Sequence, residues 1–181
     1  MGVELPYNAG SNELQRRLDV MQQSPLRTLA IIIAVVLGAW LLRDGNLGKP
    51  APAFSLPQTD GGQIDLASYS GRPVLLVFWA SSCSICQHEM PMLDRLEPEL
   101  RGRGIALLAI NVGGESDARD YLSSNNIGLT SLYDSDGKVA HAYNVGGIPK
   151  LVLIGKDGKI KRSHAGWMAE DALRDWAHAV S

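Results

Sequence analysis

Residues 74–86 read VLLVFWASSCSIC. Val74 to Trp79 is an unbroken apolar run of strand length, the pattern of a strand buried on both faces. It leads into Cys83-Ser84-Ile85-Cys86, which holds the only two cysteines of the chain, and the residues beyond have helical spacing. A strand that turns directly into a helix puts Cys83 at the helix N-terminus, where unpaired backbone N–H groups and the helix dipole stabilise a thiolate. Two thiols separated by two residues can close a disulfide across one helical turn, exchange it with a substrate and resolve the mixed species internally. Cys83 is therefore the candidate nucleophile and Cys86 the candidate resolving thiol. Structural zinc wants four ligands, and no further cysteine exists. Haem attachment would need His after the second cysteine, and position 87 is Gln. An inert disulfide, or a copper site completed by His88, are the alternatives; no metal site is assigned.

Working outward, the pattern alternates strand and helix. Ala53 to Leu56 and Gln63 to Leu66 flank Asp60-Gly61-Gly62, which predicts an N-terminal hairpin. After the cysteines, Met90, Leu93, Leu96 and Leu100 keep helical spacing, with Pro91 and Pro98 as kink or end points. Ile105 to Val112 predicts a second buried strand. Ser116 is a candidate cap for a helix reaching about Asn125 and ended by Gly128. A short segment at Leu132 and Tyr133 precedes a helix near Lys138 to Tyr143. Leu151 to Ile154 and Lys159 to Arg162 predict a second hairpin across Gly155 to Gly158. Ala172, Leu173, Trp176 and Val180 form the stripe of a closing helix. Such βαβ units with a terminal hairpin predict an α/β domain with a central mixed sheet flanked by helices.

Thr28 to Leu42, TLAIIIAVVLGAWLL, carries no charge. Arg27 and Arg43 bracket it where snorkelling extends its reach, and Trp40 fits an interfacial anchor. The expectation is a single transmembrane signal anchor over 28–42, preferred to a cleaved signal peptide or a buried core helix. Residues 1–27 are then a cytoplasmic tail, in which Leu14, Leu18 and Met21 could form an amphipathic helix. Residues 43–52, RDGNLGKPAP, read as an extended linker, and 53–181 as one domain. Arg16, Arg17 and Arg27 before the run, against Arg43 and Lys49 after it, place the N-terminus in the cytoplasm and the domain on the periplasmic side. With 17 basic and 19 acidic residues the chain has no basic footprint for nucleic acid.

APAFSL, IDLASYSGRPVLLVFWASSCSIC with QHEMP, GIALLAINVGGES and GGIPKLVLIGKDGKIKRSHAG follow one another between Pro50 and Ser181. In this order they resemble the TlpA/ResA/CcmG-type thiol-disulfide oxidoreductases, membrane-anchored members of the thioredoxin fold. The resemblance implies that Pro149 is a cis proline facing the cysteines. Ile148 and Pro149 are thereby substrate-binding candidates, since the backbone there can pair with an extended chain. It implies further that Glu89 is an acidic residue beside the thiols, able to exchange protons with Cys86. Trp79 is expected to pack beneath the active-site turn and is placed with the substrate-binding residues. Where the family commonly has Trp before the first cysteine this chain has Ser82, and where Thr commonly follows the loop proline it has Lys150. His141, His164 and His178 are scattered and read as surface or satisfied histidines.

The sequence is accordingly identified as a membrane-tethered thiol-disulfide oxidoreductase that reduces disulfide-containing proteins, with apocytochrome c as one class of substrate. It needs no cofactor, and the resemblance implies a membrane thiol-electron donor as partner. The alternatives are a copper- or apocytochrome-binding module on the same fold and an oxidase that donates its disulfide.

Overall fold

In the computed structural model the run Val74–Trp79 is a strand buried at every position, and the sheet is assembled around it. Residues 25–41, 45–59 and 61–178 are described. Along the chain the strands are β1 (Ser55–Pro57), β2 (Gln63–Asp65), β3 (Val74–Trp79), β4 (Ala106–Asn111), β5 (Ser131–Tyr133), β6 (Lys150–Ile154) and β7 (Ile160–Ala165). The helices are α1 (Pro25–Leu41), α2 (Ser84–Gly102), α3 (Glu115–Ser124), α4 (Lys138–Ala142) and α5 (Glu170–His178). The chain forms two units, Met1–Arg43 and Asp44–Ser181.

In the second unit the five-stranded sheet runs β5-β4-β3-β6-β7. β3 is parallel to β4 and antiparallel to β6, so the sheet is mixed. Alternation of side chains along β3 feeds two cores. Leu75, Val77 and Trp79 face one that contains Cys86, Met90, Leu93 and Leu96 of α2, Ala118 and Leu122 of α3 and Leu173 of α5. Val74, Leu76 and Phe78 face the other, with Phe54, Leu56, Tyr143 and Ile160. A strand that must bury both faces cannot alternate apolar with polar, which is why VLLVFW reads as it does. β1 and β2 pair as the separate two-stranded ribbon expected at the N-terminal side, although Asp60 of the expected turn lies outside the described residues.

Of the two outcomes expected at its prolines, a kink or an end, α2 does not take the second. It runs on past both Pro91 and Pro98. Pro91 has no N–H to give the Gln87 carbonyl one turn earlier. The hydroxyl of Tyr121, on α3, donates to that carbonyl at 2.8 Å instead, so a long-range contact supplies the bond the local sequence forfeits. Tyr121 also packs its ring 5.9 Å from that of Trp79. α3 begins at Glu115 with Gly114 as its cap, not Ser116. Glu115 and Asp117 in its first turn complement the helix dipole in place of a side-chain cap. The chain leaves the helix through Asn126, which takes a left-handed φ of 53° and so does the work expected of Gly128. β7 extends to Ala165, three residues beyond the predicted end, and Val180 lies outside the described residues.

In the first unit the apolar segment is helical over Pro25–Leu41. Leu29, Ile31, Ile32, Ile33, Val35, Val36 and Leu37 are exposed around it, so it has no polar face. Its 17 residues give a length of about 25 Å, short of the roughly 30 Å hydrocarbon core of a bilayer. Among the described residues no helix is long and apolar enough to cross a membrane. Residues 1–24 of the expected tail and the flanking Leu42 and Arg43 lie outside the described residues, while residues 25–27 belong to the helix.

Replacing Tyr121 by Phe leaves the Gln87 carbonyl without its partner, and the expected loss is about 1 kcal/mol in urea unfolding. In a Pro91→Ala background the restored amide can serve that carbonyl. The loss from Tyr121→Phe is then expected to shrink by roughly 0.5 kcal/mol or more, as a double-mutant cycle would register.

Candidate functional site

The redox pair is delivered by the end of β3. After Trp79 the chain turns through Ala80, Ser81 and Ser82, and the Cys83 N–H donates to the Ala80 carbonyl at 3.1 Å. Cys83 is the N-cap of α2, with extended backbone, and its Sγ accepts the Cys86 N–H at 3.2 Å. Cys83 and Cys86 are joined as a disulfide with Cα atoms 5.2 Å apart. Cys83 is half-buried and Cys86 fully buried. The Cys86 N–H at the helix start thus points at the sulfur that would carry negative charge once the disulfide is opened.

Glu89 lies one turn below Cys86 on α2 and is 1 % exposed. Residues three apart on a helix share a face, with about 5–6 Å between their Cβ atoms. Neither carboxyl oxygen has a hydrogen-bond partner of good geometry. Burial dominates and pushes the carboxyl up to about 7, while the Met168 backbone offsets this only in part. A carboxyl with that affinity gives up and recovers a proton near neutrality, which suits it to exchange protons with the thiol above it.

The Ile148–Pro149 peptide is cis, and the Ile148 carbonyl oxygen is 3.8 Å from Cys83 Sγ. Ile148 is half-buried and Pro149 buried. Lys150 opens β6 and is buried, with its Nζ donating to the Asn144 carbonyl at 2.9 Å. This ties the first strand residue to the start of the loop 144–149. Asp134 holds the other flank of that segment, accepting from the Val139 and Ala140 N–H groups at 3.1 and 2.7 Å.

Of the residues singled out in the sequence, Cys83, Cys86, Glu89, Ile148 and Pro149 gather at one end of the sheet. Trp79 requires a correction. It is 0 % exposed and donates its indole N–H to Ser131 Oγ at 3.2 Å, so it supports the turn from below and offers no surface to a substrate. Sequence reading passed over Ile85, Trp167 and Met168. Ile85 and Trp167 are exposed, and Met168 packs against the core holding Cys86. The one signal for Trp167 was a large aromatic directly after His164-Ala165-Gly166, outside any apolar periodicity. His88 stands 6.1 Å from Trp167, ring to ring. Among the described residues no cluster of three or more His, Cys, Asp or Glu side chains is arranged to hold a metal ion.

Residues 47–163 match the profile of the AhpC/TSA family. The chain belongs to that family. It is 33 % identical over 136 residues to the thiol-disulfide oxidoreductase ResA of Geobacillus thermodenitrificans, covering 74 % of this chain and 78 % of that one. Against ResA of Bacillus subtilis the identity is 30 % over 134 residues, 74 % of this chain and 75 % of the other. A Chlorobium tepidum crystal structure described as a thiol:disulfide interchange protein DsbE superposes with a TM-score of 0.69 at 29 % identity, over 74 % of this chain and 96 % of that chain. The protein is thus a thiol-disulfide oxidoreductase of the ResA/DsbE type on a thioredoxin-like fold.

Glu89 makes stability depend on pH in a definite direction. Between 4.5 and about 7 the folded protein keeps a proton that the unfolded chain has lost, so stability falls as pH rises through that window. A shift of this size corresponds to about 3 kcal/mol. The oxidised protein is therefore expected to lose roughly that much between pH 4.5 and pH 8 relative to Glu89→Gln, as denaturant unfolding at several pH values would measure. Parallel curves for the two proteins would contradict the burial argument.

Proposed function

We propose that the protein reduces disulfides in other proteins while attached to the cytoplasmic membrane, with its redox domain on the extracytoplasmic side. The observation that carries the reading is the asymmetry of the pair: a half-buried Cys83 at the helix cap and a fully buried Cys86 with Glu89 beneath it. In the dithiol form, Cys83 thiolate attacks one sulfur of a substrate disulfide. A Cys83–substrate S–S bond forms, the substrate S–S bond breaks, and the departing thiolate takes up a proton. Cys86 gives its proton to the Glu89 carboxylate and attacks Cys83 Sγ. The Cys83–Cys86 disulfide forms, the mixed disulfide breaks, and the second substrate thiolate is protonated. Two electrons have then passed from the two cysteines to the substrate, with two protons, one from Cys86 by way of Glu89 and one from solvent.

The domain returns to work only when an external dithiol supplies two electrons, and a membrane thiol-electron donor fits a tethered domain. The segment before Ile148-Pro149 is the side on which an extended substrate chain would lie, its backbone paired to the loop. Apocytochrome c is one substrate class within this reading. Membrane attachment is supported by the apolar surface of α1 on all sides and by Arg27 and Arg43 at the ends of the charge-free run. Snorkelling of such residues and local thinning of the bilayer can make up a shortfall of a few ångströms. The excess of Arg before the run favours an N-terminus in the cytoplasm.

The test uses the full chain carrying Cys86→Ala, recovered in membranes washed at alkaline pH. The variant keeps the attacking thiol and lacks the resolving one, so mixed disulfides with oxidised client proteins are expected in the membrane pellet on non-reducing gels. Cys83→Ala is expected to trap at least about tenfold less, because its remaining thiol is buried. Equal trapping by both variants would contradict the assignment of the nucleophile. Recovery of the protein in the wash would contradict the tether, and absence of complexes with oxidised clients would favour disulfide donation.

A further inference from the structure

The redox end carries a surface that the exchange chemistry does not use. Among the described residues outside α1, the exposed large apolar side chains are Ile85, 51 % exposed, and Trp167, 48 % exposed. Ile85 stands within the cysteine pair, and Trp167 stands beside α2 at His88. His88 follows Ile85 three residues later on the same helix face. The His88 ring is 6.1 Å from the Trp167 ring, so His88 stands between Ile85, one turn earlier on α2, and Trp167 in a single stripe.

The local sequence explains why Trp167 faces outward. β7 ends at Ala165, and Gly166 takes a φ of +91° that side chains rarely adopt. The Gly166 N–H donates to the Pro149 carbonyl at 2.8 Å, which fastens this turn to the loop carrying Ile148. Met168 then packs into the core with Cys86, and its neighbour Trp167 is left on the surface. Beyond the indole lies a groove of about 460 Å³ between α2 and the start of α5, lined by Gln87, His88, Pro91, Trp167 and Glu170 among others. Arg95 and Glu170, 3.4 Å apart, lie along it.

We propose that Trp167, with Ile85, selects substrates by binding a large aromatic or aliphatic side chain close in sequence to the disulfide cysteine, the flanking chain lying over His88 into the groove. The inference rests on the exchange reading above. A polypeptide bonded to Cys83 must cross either this stripe or the Ile148 loop, and Gly166 joins the two into one continuous surface. An exposed Trp next to a site that has to accept a polypeptide has the composition of a binding hot spot. Ile85 and Trp167 carry no charge, so next to them an apolar side chain is favoured over a charged one, while Arg95 and Glu170 lie further along the groove and are paired with each other.

The experiment measures kcat/KM for reduction of two disulfide peptides that differ only in carrying Phe or Ser two residues from one cysteine. The full-length protein is expected to favour the Phe peptide by roughly tenfold, a difference typical of one well-buried apolar contact. Trp167→Ala is expected to bring that ratio close to one, mainly through KM for the Phe peptide. Trp167→Phe is expected to keep most of it. An equal ratio in the original protein, or an unchanged preference in Trp167→Ala, overturns the proposal. So does concentration-dependent self-association abolished by Trp167→Ala, which would assign the stripe to a second copy of the chain. Failure of the original protein to reduce the Ser peptide as well as the Phe peptide would overturn the exchange reading itself, and is thereby distinguished from loss of preference alone.

Discussion

The hydrogen bond from the Cys86 N–H to Cys83 Sγ, 3.2 Å long, is the contact to which the rest of the molecule is subordinate. It exists only if a helix starts at Cys83, and a helix start is fixed in space only if what precedes it is rigid. β3 supplies that rigidity, paired on both sides and buried on both faces. The two cores then hold α2 on one face of the sheet and support the loop that carries Ile148 on the other.

Burial does two jobs at this helix turn. It makes the thiols unequal, since Cys86 is sealed while Cys83 keeps access to solvent. It also raises the proton affinity of Glu89 into the neutral range, at a cost to stability, because an ionised carboxyl without partners is expensive in an apolar surround. A carboxyl at such a position adds nothing to the fold when ionised, and near neutrality it can give up and recover a proton. Lys150 makes the opposite compromise. Its ammonium is drawn into the protein to fasten the Asn144 carbonyl, and a residue type unusual after the loop proline becomes a strut for the loop.

What could be read from the chain followed the strength of the local signal. The buried strands and the stripe of α2 were visible because periodicity and uninterrupted apolarity are set by the sheet and helix themselves. The cysteine pair was visible because position in a strand-to-helix turn fixes the chemistry of a thiol. Glu89 was visible only as a spacing: three residues from Cys86 allows a shared face, but its burial depends on how Met168 and the core close over it. Of the kink or end expected at Pro91, the end does not occur, since proline stops a helix only where nothing else serves the orphaned carbonyl, and Tyr121 does. Trp167 left no periodic trace, because its outward direction comes from Gly166 and from the inward packing of Met168.

The inequality of the two thiols is open to direct measurement. In the reduced protein, alkylation with iodoacetamide followed over a range of pH and read by peptide mass measures each thiol separately. The expected result is that Cys83 reacts first and titrates below the ordinary thiol value of about 8.5, since a helix N-terminus favours its thiolate. Cys86 should react at least about tenfold more slowly. Faster labelling of Cys86, or a Cys83 that titrates at or above the ordinary value, would contradict it.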